Sequence, residues 1–336
     1  MSAATHCNKD IPIFSVSDLT MRIAGDASDI VERLSFDVFP GKTLCIVGES
    51  GCGKSITALG LMGLLPPQEV AVRSGTIRFE GKEYLAAEAH QARHLRGDRL
   101  AMIFQEPMTS LNPSYKIGVQ IAEAVTCHHS GSYVDAKKQA LAMLAKVGIP
   151  GPELRYDEYP HQLSGGMRQR VMIAMALINN PAVLIADEPT TALDVTIQAQ
   201  IIELICELQK NTQMGTIMIT HDLGVVAKLA TDVAVMYGGQ IVESGPVASI
   251  FNAPQHPYTI GLLSSMPNLS GYKERLFTIP GTVPNVQSMP KGCRFSSRCP
   301  FCSSVCKTQP EVRVVDDAHS VACHFAPLDQ TLELSA

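Results

Sequence analysis

The hydrophobic pattern divides this chain into short apolar runs, amphipathic stretches and a polar, proline-rich end. Apolar or alternating runs over residues 14–16, around 34–38 and over 43–47 predict strands. Residues 54–65 carry helical spacing and stop at Pro66-Pro67. A further strand is predicted over 75–80, followed by a turn at Gly81-Lys82. From about residue 87 to 175 the pattern is mostly helical, interrupted by an apolar strand over 100–104. Residues 182–186 and 216–220 are continuous apolar, β-rich runs, the pattern of strands buried on both faces of a parallel sheet. Between them, residues 197–209 predict an amphipathic helix. Residues 233–237, Gly238-Gly239 and residues 240–242 predict a hairpin closed by a two-glycine turn. Beyond about Gln255 the composition shifts to Pro, Gly and Cys, which predicts a separate small module.

Composition narrows the class. The 336 residues are 46% hydrophobic, enough for one large domain and an appendage. A net charge of −5 gives no general attraction for nucleic acid, so no nucleic-acid partner is expected. The most hydrophobic region, residues 171–186, is broken by Asn179-Asn180-Pro181, so it reads as helix, turn and buried strand rather than as a membrane span. The first residues lack a charged segment followed by an apolar one, so no signal peptide is expected. Ten cysteines without a secretion signal suggest reduced thiols or metal ligands.

Two motifs carry chemistry. Gly48-Glu49-Ser50-Gly51-Cys52-Gly53-Lys54-Ser55 has the spacing G-x-x-x-x-G-K-S/T between an apolar strand and a helix. Its glycines allow backbone N–H groups to wrap phosphates, with the helix N-terminus adding positive potential. Lys54 is expected to reach the β- and γ-phosphates, and Ser55 to coordinate Mg²⁺. The apolar run 183–186 ends in Asp187-Glu188. Asp187 suits the Mg²⁺ shell, and Glu188 suits a base or an orienter of the attacking water. His221 and Gln105 stand at the ends of two other predicted strands, where they could meet the γ-phosphate and the Mg²⁺ or water respectively. Ser164-Gly165-Gly166 opens a predicted helix, and Asp187 follows Ser164 by 23 residues.

The set as a whole resembles the nucleotide-binding domain of the ATP-binding-cassette (ABC) ATPases. The resemblance aligns the phosphate loop, a Q-loop at Gln105, the signature Leu163-Ser164-Gly165-Gly166-Met167-Arg168-Gln169-Arg170, the Asp187-Glu188 strand, the D-loop Ala192-Leu193-Asp194 and a switch residue His221, in family order. It implies an α/β fold of the P-loop NTPase class. A RecA-like core would carry an antiparallel β-subdomain and an α-helical subdomain, with a small Cys-rich C-terminal module. Expected bounds are 10–254 for the nucleotide-binding domain, about 87–175 for its helical subdomain and 255–330 for the extension. The resemblance also implies that Ser164, Gly165 and Gly166 contact ATP held by a second ABC subunit, and that Asp194 lies at that junction. Ile23, where the family often places an aromatic ring against adenine, would leave only apolar contact.

The run Phe104-Gln105-Glu106-Pro107-Met108-Thr109-Ser110-Leu111-Asn112-Pro113, the Arg168-Gln169-Arg170 ending and the tail His256-Pro257-Tyr258-Thr259 resemble the oligopeptide, dipeptide and nickel branch of bacterial importers. That branch implies an ATPase at the cytoplasmic face of the inner membrane. It would work with a second ATPase subunit (identical or related), two transmembrane permeases and an extracytoplasmic solute-binding protein. A soluble ABC protein of translation or DNA metabolism is the alternative class. Nickel, glutathione and opine-type solutes are the alternative cargoes. Cys293, Cys299, Cys306 and Cys323 match the branch's four-cysteine pattern, with Cys302 as a fifth. Four thiolates suit a 4Fe–4S cluster or Zn²⁺, and spacing looser than paired C-x2-C favours iron–sulfur.

Overall fold

The continuous apolar runs become fully buried strands. In the computed structural model, which describes residues 11–26, 28–106, 110–190, 195–266, 278–316 and 318–328, the chain divides into two units. One gathers the described parts of Met1–Phe14, Val38–Lys42 and Gln91–Met218; the other gathers those of Ser15–Asp37, Thr43–His90 and Ile219–Ala336.

In the first unit, Leu100–Ile103 pairs in parallel with Val183–Asp187, Leu100 opposite Val183 and Ile103 opposite Ala186. Gly215–Thr220, most of which belongs to this unit, is the next strand beyond Val183–Asp187. Every residue of these strands is buried, as two covered sheet faces require. Around them stand the helices Ile117–Thr126, Tyr133–Lys146, Gly165–Leu177 and Val195–Thr212. Ser132 caps the second by accepting the Asp135 N–H, and the first packs against the second and third. Asn179 Nδ2 donates to the Gly97 and Ala124 carbonyls at 2.7 and 2.8 Å, fixing the turn that leads into the Val183 strand. The expected helical run begins differently: Ala86–Leu95 is 3₁₀ rather than α-helical, with a kink at Glu88.

In the second unit, one sheet runs in the order Val31–Val38, Phe14–Ile23, Val70–Phe79, Lys82–Leu85. The other runs Arg313–Asp316, His319–Val321, Gln240–Pro246, Asp232–Tyr237, Thr43–Val47. Thr43–Val47 and Asp232–Tyr237 are parallel; Asp232–Tyr237 and Gln240–Pro246 form the expected antiparallel hairpin. Gly238 and Gly239 turn it at φ 53° and 85°, angles that favour glycine.

The tail does not stand apart as expected from its composition. His319–Val321 pairs antiparallel with Gln240–Pro246, placing Val321 opposite Glu243. Its own hydrophobic cluster among the described residues consists of Val321, Cys323 and Ala326, with Val315 against it. The tail instead covers an otherwise open sheet edge and sends Phe295 into a cluster with Tyr237, Tyr258 and His256. Full burial of one such ring contributes about 1.5–3 kcal/mol, and edge-on ring pairs add about 0.5–1.5 kcal/mol more. Among the described residues no helix is long and apolar enough to cross a membrane.

Candidate functional site: the phosphate loop and the catalytic strand ends

The phosphate loop leaves the buried strand Thr43–Val47 and enters the helix Lys54–Leu61. Gly48 is packed so closely on the Met236 carbonyl that a Cβ would collide with it, and Gly53 takes φ 102° at the helix entry. The Cys52 carbonyl accepts from the Gly239 N–H at 2.9 Å, which ties the loop to the two-glycine hairpin. Lys54 is buried, and its ammonium donates to the Gly48 and Glu49 carbonyls at 2.8 and 3.0 Å. Cys52 Sγ lies 3.8 Å from that ammonium; burial pushes the thiol pKa up despite the nearby charge. Ser50 and Gly51 are exposed, and Ser55 follows Lys54 in the first helical turn.

Residues of the tail meet this loop within the same unit. The Tyr258 hydroxyl accepts the Glu49 N–H at 2.8 Å, and Arg298 Nη1 donates to Glu49 Oε2 at 2.8 Å. Arg294 donates to the Gly238 carbonyl and to Glu32. Glu243 is fully buried and accepts three donors: the Gln255 and His256 N–H groups at 2.6 and 2.9 Å, and His319 Nε2 at 2.8 Å. His256 Nδ1 accepts the Tyr258 N–H at 3.1 Å and so caps the helix Pro257–Ser264. Burial holds the His256 pKa down to about 4, with the Glu243 charge opposing. His221, exposed, follows the strand Gly215–Thr220; Asp222 beside it caps Leu223–Leu229 by accepting from Gly224 and Val225.

In the other unit, Asp187 is buried at the end of its strand and Glu188 follows at φ 44°. Gln105, just beyond Leu100–Ile103, donates through Nε2 to Glu188 Oε2 at 3.2 Å. Adjacent parallel strands thus deliver the expected base and the expected water-binding amide to one hydrogen bond. Ser164 is the N-cap of Gly165–Leu177, its Oγ accepting the Met167 N–H at 3.3 Å. Ser164 and Gly165 are exposed, while Gly166 packs against Ile197. One turn on, Gln169 Nε2 donates to the Pro189 carbonyl, linking the signature helix to the residue after Glu188. Asp194, with the rest of the expected D-loop, lies outside the described residues.

The tail cysteines share one region without forming a ready-made ligand set. The Cys293 N–H donates to the Cys306 carbonyl at 2.9 Å. Burial, reinforced by neighbouring thiols, raises the pKa of Cys293 to about 11 and of Cys299 to about 12. Among the described residues, no three His, Cys, Asp or Glu side chains are gathered to hold a metal ion. The contacts made by Arg298 and Tyr258 were not foreseen from sequence; no local signal marks either as a neighbour of the loop.

Known proteins match this arrangement along most of the chain. The ABC transporter family matches residues 31–191, and the oligopeptide/dipeptide transporter C-terminal region matches residues 242–306. The dipeptide transport ATP-binding protein DppD of Bacillus subtilis is 50% identical, over 93% of this chain and 94% of its own. DppD of Escherichia coli is 46% identical, over 94% of this chain and 97% of its own. Among solved structures, cbiO1 from Clostridium perfringens, part of an ABC transporter complex, superposes with a TM-score of 0.60 at 27% identity, covering 72% of this chain and 91% of cbiO1. The dimeric bacterial ABC transporter cassette MJ0796 gives 0.60 at 25% identity, covering 70% and 98%. With the phosphate loop, the Gln105–Glu188 pair and the capped signature helix in place, the chain belongs to the ATP-binding subunits of ABC transporters, in the branch that carries the oligopeptide/dipeptide transporter C-terminal region.

Proposed function

We propose that this chain is the ATP-hydrolysing subunit of an importer for dipeptides or oligopeptides, held peripherally at the cytoplasmic face of the membrane. The observation that carries the cargo class is the 50% identity to a dipeptide transport ATP-binding protein across 93% of the chain. The chain binds ATP with Mg²⁺, as its family does. Lys54 and the amides of Gly48–Ser55 hold the phosphates, and Ser55, Asp187 and Gln105 supply the Mg²⁺ shell. Glu188 orients and deprotonates the attacking water, with Gln105 holding its carboxylate, and His221 reads the γ-phosphate.

The exposed N-terminus of Gly165–Leu177, led by Ser164 and Gly165, is suited to an anion brought by another subunit. Two cassettes would then close around two ATP molecules, with Asp194 near the junction. Two permease subunits and a solute-binding protein complete the assembly. A 4Fe–4S cluster or Zn²⁺ on Cys293, Cys299, Cys306 and Cys323 is the finer part of the proposal. It rests on their spacing. Iron and zinc analysis of anaerobically purified protein tests it, and absence of both metals overturns it.

The cargo is tested by reconstituting the chain with its permeases and binding protein in vesicles. Dipeptides or oligopeptides are expected to stimulate ATP hydrolysis and to accumulate inside. Stimulation confined to nickel chelates, glutathione or opines would replace the peptide reading.

A further inference from the structure

We propose that Arg298 is a positioning residue for ATP binding: from the Cys-rich tail it grips Glu49, the second residue of the phosphate loop, and thereby fixes the carbonyls that hold Lys54. The inference rests on the reading of residues 48–55 as the ATP phosphate site.

Arg298 sits in a socket built from three segments. Its Nη1 donates to Glu49 Oε2 at 2.8 Å. Its Nε donates to the Pro280 carbonyl at 2.9 Å, and its Nη2 to the Gly281 carbonyl at 3.2 Å. The guanidinium lies 5.7 Å from the centre of the Tyr237 ring. A planar fork of five donors satisfies these directions at once, which a lysine ammonium cannot do. The Arg298 side chain is 5% exposed and that of Glu49 27%, so solvent and salt screen the pair less than an open surface pair.

Glu49 is held at a second point, its N–H committed to the Tyr258 hydroxyl. Its carbonyl is one of the two acceptors of the Lys54 ammonium. A side chain of the tail therefore reaches the loop lysine through one intervening residue. Arg298 is also bracketed by cysteines: the run Cys293-Arg294-Phe295-Ser296-Ser297-Arg298-Cys299 places Arg294 on the Gly238 carbonyl behind the loop, Phe295 in the aromatic cluster, and Arg298 on the loop itself. The tail acts as a buttress that sets loop geometry.

The test uses the assembled transporter carrying Glu49→Gln, Arg298→Lys or both, with Lys54→Ala alongside. Glu49→Gln changes a side chain that is 27% exposed and keeps its shape, so it reports on the contact even where an Arg298 variant folds poorly. Each single variant is expected to raise KM for ATP about fivefold while kcat changes far less, and the double variant to be no worse than either single, the non-additivity of partners in contact. A fluorescent ATP analogue should show the same loss of affinity. Native KM in Glu49→Gln, or penalties that multiply in the double variant, would overturn the inference. Native nucleotide binding by Lys54→Ala would instead overturn the phosphate-site reading beneath it.

Discussion

Glu188 takes φ 44°, a left-handed backbone angle that costs a non-glycine residue on the order of 1 kcal/mol or more and persists only where the surroundings enforce it. Glu188 directly follows the buried strand Val183–Asp187, and its carboxylate accepts from the Gln105 amide. The phosphate loop, Asp187-Glu188 and Ser164-Gly165-Gly166 were legible in the sequence because each is contiguous, with its chemistry written into adjacent residues. The hold on Glu49 was not legible, since Tyr258 and Arg298 stand 209 and 249 residues away. Tyr258→Phe tests that hold: losing the hydroxyl leaves the Glu49 N–H without its acceptor and is expected to cost about 1–3 kcal/mol of stability, read from denaturant unfolding.

Among the elements, the buried parallel strands were the most legible, because an uninterrupted apolar run has few other uses in a chain of this polarity. Two elements escaped for physical reasons. The first strand was expected over residues 14–16 only. It continues to Ile23, with Asp18 absorbing φ 51°, an angle that aspartate tolerates better than most residues. His319–Val321 is too short and polar to signal itself; it exists because the Gln240–Pro246 edge offers a ladder and Glu243 offers a buried acceptor. Glu243→Ala would strand two amides and His319, at an expected cost of about 3 kcal/mol or more in thermal or chemical unfolding.

The His256 cap adds a pH dependence at the same scale. Its pKa is near 4 when folded and about 6.5 when unfolded, so the unfolded chain takes up the proton first. This contribution is fully present above about pH 6.5 and is lost as pH falls toward about 4. The melting temperature should decline across that window.

For the whole molecule, the tail changes most in the passage from sequence to structure. Composition suggested an appendage; the chain instead uses residues 293–321 to extend a sheet, complete an aromatic cluster and grip the phosphate loop. The signature helix, by contrast, presents Ser164 and Gly165 outward, as the proposed two-subunit ATP site needs. Ser164→Arg should therefore block ATP-driven closure of two cassettes, seen by light scattering in a hydrolysis-deficient background, while leaving nucleotide affinity of the separate chain unchanged. Loss of that affinity would make Ser164 a structural cap only. The proposed mechanism turns on Glu188 activating the water. It is tested by ATP hydrolysis in the assembled transporter carrying Glu188→Gln, with bound nucleotide measured in the same sample. Retained ATP and turnover reduced by about 100-fold or more are expected; hydrolysis at the native rate would contradict that role.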